Sequence, residues 1–69
     1  MSELEKHAEY LLKKYNTMLL DKVQTAQEIG AISSTSLDRL RQMGAIRSRK
    51  VLGQIRFSVN EVARFIADA

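Results

Sequence analysis

Two helix-start signals on either side of a glycine turn restrict this chain's fold more than any other feature. They lie between Asp21 and Gly44, in the stretch DKVQTAQEIGAISSTSLDRLRQMG. Asp21 can cap the orphan amides of a first helical turn, and Gln24 is placed to complete a capping box. Val23, Ala26 and Ile29 recur at a spacing of three and predict one apolar stripe on a short helix. Gly30-Ala31 ends that helix, because a glycine and a small residue let the chain turn sharply. Ile32 then plugs the angle between two helices, and either Ser33 or Ser34 caps the second. Leu37, Leu40 and Met43 are its expected buried face, with Gly44 at the C′ position.

The second helix, over residues 34–43, has an opposite face of a different kind. At about 100° per residue, Thr35, Asp38, Arg39 and Gln42 point away from the leucines, with Ser34 and Arg41 at the margins. Hydroxyls, an amide, a carboxylate and guanidinium groups are the side chains that read base edges and grip phosphates in a major groove. An ordinary helical hairpin with a solvated face would look the same, so the following segment decides. From residue 39 to 56 come Arg39, Arg41, Arg47, Arg49, Lys50 and Arg56, without an acid among them. Residues 1–20 instead balance Glu3, Glu5 and Glu9 against Lys6, Lys13 and Lys14. The formal net charge of +3 is therefore modest but concentrated, as expected for a polyanion partner.

After Gly44 the apolar period changes from helical to alternating. Ile55 and Phe57 face one way and Gln54 and Arg56 the other, the pattern of a half-buried strand. Gly53 supplies the positive φ of a tight hairpin loop. The expectation is a two-stranded basic ribbon, too small to stand alone, with Arg49, Lys50, Gln54 and Arg56 on its outer face and tip. A last helix follows, capped either by Ser58 with Glu61 or by Asn60, with Val62, Phe65 and Ile66 as its apolar stripe and Phe65 as a large core anchor. Ahead of the central stretch, residues 2–16 predict an isolated helix with Ser2 and Glu5 as a capping box and Leu4, Ala8, Leu11, Leu12 and Tyr15 on one face. That face is expected to pack within the chain, the alternative being a second copy. Met18-Leu19-Leu20 reads as an apolar connector whose leucines enter the core.

Sixty-nine residues suit one domain with a small core. Residues 1–18 form an accessory helix and 20–67 the core. Without cysteine there is no disulfide framework or thiolate site, and a lone His7 builds no metal site. No apolar run approaches the roughly 18 residues of a membrane span, and no signal-peptide core is present, so a cytoplasmic protein without membrane contact is expected. Helix capping accounts for Ser33 to Ser36 better than nucleophilic catalysis does, and no glycine-rich phosphate loop occurs. No enzyme, cofactor or metal is expected.

The order helix, turn, helix, glycine, basic hairpin ending in Arg-Phe, then a short helix resembles the MerR-like winged helix-turn-helix group. Within that group it is similar to the small phage and plasmid excisionase-type proteins. The matching residues are Ala26, Ile32-Ser33, Ser36-Leu37, Arg39-Leu40, Gly44, Ile46, Gly53, Arg56-Phe57 and Phe65-Ile66, covering roughly residues 20–67. Two positions depart from the pattern. Ala31 stands where the family often has glycine, and Asp38 where it has an aromatic or basic residue. Asp38 should either accept from a cytosine amino group or pair with Arg41 or Arg39.

The resemblance implies a mainly α fold with a small β-hairpin wing, and the extra N-terminal helix lies outside it. It also implies double-stranded DNA binding without an effector domain, by further copies of the chain side by side, with an integrase as a further partner. The residue types themselves make Ser34, Thr35, Asp38, Arg39, Arg41 and Gln42 on the helix, and Arg47, Arg49, Lys50, Gln54 and Arg56 on the wing and its approach, the candidate DNA-binding residues. Alternatives are a transcription repressor, a packaging-terminase DNA module, and a winged helix that binds protein instead of DNA.

Overall fold

Short capping side chains determine where each helix begins. In the computed structural model, which describes residues 2–68, the order is α1 (Glu3–Tyr15), β1 (Leu19–Leu20), α2 (Lys22–Glu28), α3 (Ser34–Gln42), β2 (Arg49–Val51), β3 (Gln54–Ser58) and α4 (Val59–Asp68). Asp21 and Gln24 form the full capping box of α2. Ser33, not Ser34, caps α3 by accepting the Ser36 N–H at 3.2 Å. Ser58 does the same for α4 through the Glu61 N–H at 3.1 Å, which leaves Asn60 exposed inside the helix. At α1 only half of the expected box forms. Ser2 Oγ accepts the Glu5 N–H, but the Glu5 carboxylate takes the Ser2 hydroxyl instead of its backbone N–H.

The helix ends are equally local in origin. α1 stops at Asn16 in the left-handed region (φ 53°), a conformation asparagine tolerates. After α3, the Gly44 N–H reaches Arg41 O and the Ala45 N–H reaches Leu40 O, a Schellman turn. That turn brings Ile46 into the core. Met43, expected there, is left 75 % exposed, because the helix has ended before its side chain can turn inward.

Phe57, Leu11, Leu20, Leu37, Ile46, Val59 and Val62 are wholly or almost wholly buried, with Ala26 and Ala63. Leu4, Ala8, Tyr15, Ile29, Ile32, Leu40, Ile55, Phe65 and Ile66 close around them. α1 packs along α4 within the chain. Three apolar side chains expected in the core lie wholly or partly outside it. Leu12 is exposed because only one of two adjacent leucines can face α4. Val23 is 73 % exposed, its place taken by Thr25, a side chain of nearly the same shape. Phe65 is half-buried, because the buried arc of α4 centres on Val59, Val62 and Ala63.

The sheet has three antiparallel strands in the order β1-β3-β2, not two. Leu19 pairs with Ser58 and Leu20 with Phe57, so the apolar connector is an edge strand. A two-residue strand is too short to carry an alternating pattern. β2 and β3 form the expected hairpin, pairing Arg49 with Arg56, Lys50 with Ile55 and Val51 with Gln54. Both loop residues have positive φ, Leu52 at 53° and Gly53 at 79°, as a type I′ turn requires. At Leu52 this conformation costs about 1–2 kcal/mol. Four helices with this sheet are compatible with a helix-turn-helix plus wing.

Polar contacts tie α1 to α2. Glu28 Oε2 accepts from Lys14 Nζ at 2.7 Å and from the Tyr15 hydroxyl at 2.5 Å, and the Lys14 ammonium lies 5.6 and 5.4 Å from the ring centres of Tyr10 and Tyr15. Burial alone would raise the Glu28 carboxyl, but the hydrogen bonds from Lys14 and Tyr15 outweigh it and hold the group below its ordinary 4.5. Such a carboxylate stabilises the fold fully above pH 4.5 and loses that contribution as pH falls through its lowered value. Glu28→Gln is therefore expected to lower the Tm at pH 7, with the gap to the parent closing in acid, as read by thermal melts across pH. Thr25 Oγ1 is buried without a hydrogen-bond partner among the described residues. Thr25→Val is expected to gain about 1 kcal/mol, raising the Tm by roughly 4–8 °C for a domain of this size.

Candidate functional site

The exposed side of α3 is free of the core. Leu37 and Leu40 turn inward, while Ser34, Thr35, Ser36, Arg39 and Gln42 are exposed. Asp38 and Arg41 are half-buried along one margin and bonded to each other. Asp38 Oδ1 accepts from Arg41 Nη1 at 2.7 Å and lies 2.9 Å from Lys22 Nζ at the start of α2. Of the two roles open to Asp38, the chain adopts ion pairing. Lys22 first, then Arg41, hold its carboxyl below the ordinary 3.8, so it stays ionised and internally matched. Arg41 also donates through Nε to Ser48 Oγ at 3.1 Å, joining α3 to the approach of the wing.

That bond places two kinds of group side by side. Gln42 from the polar face of α3 and Arg47 from the loop line one open groove, with Arg41 and Ser48 between them. The loop itself is held from beneath by α4. The Glu61 carboxylate accepts the Arg47 backbone N–H at 2.9 Å, and Arg64 Nη2 donates to Ala45 O at 3.0 Å and to Glu61 at 2.7 Å. Arg64, then the Arg47 N–H, depress the Glu61 carboxyl against the opposing effect of burial. The Arg47 side chain is left exposed.

On the wing, cross-strand partners share a face. Arg49 therefore stands beside Arg56, and Val51 beside Gln54, while Lys50 falls on the opposite face with Ile55. The expected single outer face of Arg49, Lys50, Gln54 and Arg56 thus loses Lys50, which the alternation of the strand turns to the other side. Arg56 is steadied by hydrogen bonds to Gln54 Oε1 and Ile55 O.

The basic residues divide cleanly. Lys13, Lys14, Lys22, Arg41 and Arg64 pair with carboxylates. Among the described residues, Arg39, Arg47, Arg49, Lys50 and Arg56 pair with none, and Lys6 is the one other such cation. Like charges directly opposite in a sheet are unfavourable, so Arg49 beside Arg56 is an arrangement that an anion relieves. Sequence reasoning missed Lys22, whose partner is distant in the chain and left no local signal. It also missed Arg64, although the spacings Glu61–Arg64 and Arg64–Asp68 were readable as helical ion pairs. No group of three or more His, Cys, Asp or Glu side chains gathers as a metal site among the described residues, and none of their helices is long and apolar enough to cross a membrane.

Glu61→Ala is expected to loosen the loop under Arg47, speeding exchange of the Arg47 amide by about tenfold or more once its charged acceptor is gone; hydrogen exchange reads this directly. No protein-family model matches the chain, and comparison with curated proteins and with solved structures likewise finds no match.

Proposed function

We propose that this chain is a sequence-selective double-stranded DNA-binding protein that works as a winged helix-turn-helix. The observation that carries the reading is the division of charge. Five cations without carboxylate partners run from α3 through the loop to the wing, next to an exposed helix face of hydroxyl, amide and guanidinium groups. In this reading α3 enters a major groove, where Thr35, Gln42 and Arg39 meet base edges and Ser34 meets a phosphate. Asp38 and Arg41 act as a clamp that orients α3 against α2 and the wing approach. Arg47, Arg49 and Arg56 follow the backbone, and Lys50 reaches it from the other face of the ribbon.

The similarity to MerR-like excisionase-type proteins supports a further step, a recombination directionality factor that binds as several copies and bends its site. One small module offers little contact area, so specificity would come from neighbouring copies on one DNA. A small transcription regulator with the same fold is separated from this by comparing attachment-site DNA with promoter DNA in a bending assay.

Four cationic phosphate contacts, from Arg47, Arg49, Lys50 and Arg56, would make log K fall with log salt at a slope of about −3.6. Arg49→Glu with Arg56→Glu is expected to abolish retention of a mixed-sequence duplex at low salt while leaving the Tm nearly unchanged, since one exposed like-charge pair replaces another. Gel retardation and a thermal melt read the two effects. Undiminished retention by the double variant overturns the DNA-binding reading in favour of a protein partner.

A further inference from the structure

The tip of the wing carries a residue that neither folding nor charge accounts for. Leu52 is 99 % exposed, and it occupies the first loop position of a type I′ turn at φ 53°. Asparagine, aspartate or glycine fit that position without strain, and a branched apolar side chain does not. Strain kept at an exposed tip points to use of the side chain that causes it. Met43 and Val23 are also exposed, but Met43 sits in ordinary right-handed backbone (φ −76°) and Val23 lies in a hollow between α2 and β3. Val51, beside Leu52, is exposed as well, so the extremity of the ribbon is apolar.

Behind this apolar tip stands the Arg49–Arg56 pair, two residues back along each strand from the Val51–Gln54 pair. At about 3.4 Å per residue that is a setback of about 7 Å, close to the roughly 7.5 Å depth of a B-DNA minor groove. With the Val51–Gln54 pair at the groove floor and Leu52 one residue beyond it, at the base edges, Arg49 and Arg56 stand level with the phosphates at its rim.

We propose that the wing tip is a minor-groove wedge, in which Arg49 and Arg56 hold the two backbones while Leu52 enters between adjacent base pairs, unstacks them and kinks the duplex. Apolar side chains inserted in this way bend DNA toward the major groove. The inference rests on the DNA-binding reading above. An apolar tip with cationic flanks would also suit an anionic lipid surface, but such a surface has no use for the exposed hydroxyl and amide face of α3. Nucleic acid accounts for both.

The test uses the full chain and a mixed-sequence duplex shorter than the DNA persistence length of about 150 bp, at low salt. Ligase-catalysed ring closure is measured at equal occupancy, set by gel retardation, for the parent, Leu52→Asn and Leu52→Met. Asparagine suits the turn, so Leu52→Asn keeps or raises the Tm and still binds. Its ring closure is expected to fall by about tenfold, a small part of what removal of a pre-formed kink can change. Leu52→Met, still apolar, keeps ring closure near the parent level. Equal ring closure by parent and Leu52→Asn, or none by the parent despite binding, overturns the wedge and leaves DNA binding intact. A parent that retains no duplex overturns both, and Leu52-dependent binding to phosphatidylserine vesicles in that case assigns the tip to lipid.

Discussion

Burial of Phe57 is the contact on which the rest of the molecule depends. Its strand, β3, is the middle one of three, with Leu20 opposite Phe57 on the β1 side and the basic β2 on the other. A two-stranded ribbon is not stable alone. Here it is extended by β1 and anchored by a wholly buried aromatic ring. The strand then runs directly into α4, with Ser58 as last strand residue and helix cap at once. The α4 side chains Glu61 and Arg64 in turn hold the loop from Ala45 to Arg47. The position of the wing, the loop and α4 therefore follows from one packing event.

Electrostatics is arranged on the same frame. Two acids beside the basic surface, Asp38 and Glu61, are engaged from within the chain: Asp38 by Lys22 and Arg41, Glu61 by Arg64 and the Arg47 N–H. Each partner set holds its carboxyl ionised and matches its charge locally. The remaining arginines are left without an internal counter-ion. A surface of this kind exerts a positive field at the range of a Debye length, about 8–10 Å, although the net charge of the chain is only +3. The fold separates satisfied from unsatisfied cations, and that separation matters more here than the sum.

Much of this was legible in the residues. Capping chemistry is local, so Asp21 with Gln24, Ser2, and the glycines at positions 44 and 53 reported their turns correctly. The choice between Ser33 and Ser34, and between Ser58 and Asn60, was left open by sequence, because neighbouring capping residues compete and only the path of the incoming chain decides. The candidate site was legible as a set of residue types, since a long acid-free basic stretch needs no tertiary information. Its faces were less so. Lys50 was grouped with Arg49 until strand pairing separated them, and the partners of Asp38 included a lysine from another helix.

By itself the sequence determined the helix starts and stops, the hairpin with its positive-φ turn, and the concentration of positive charge, because each depends on residues within one or two turns of one another. Only the tertiary structure decided that Leu19 and Leu20 form an edge strand, that Thr25 rather than Val23 and Ile46 rather than Met43 fill the core, and that α4 carries the loop beneath Arg47. Those outcomes depend on which surfaces meet, and a helical stripe two side chains wide fits a small core in more than one rotation. Competition among nearly equal apolar side chains for a few buried places is resolved by contacts distant in sequence, to which local periodicity is blind.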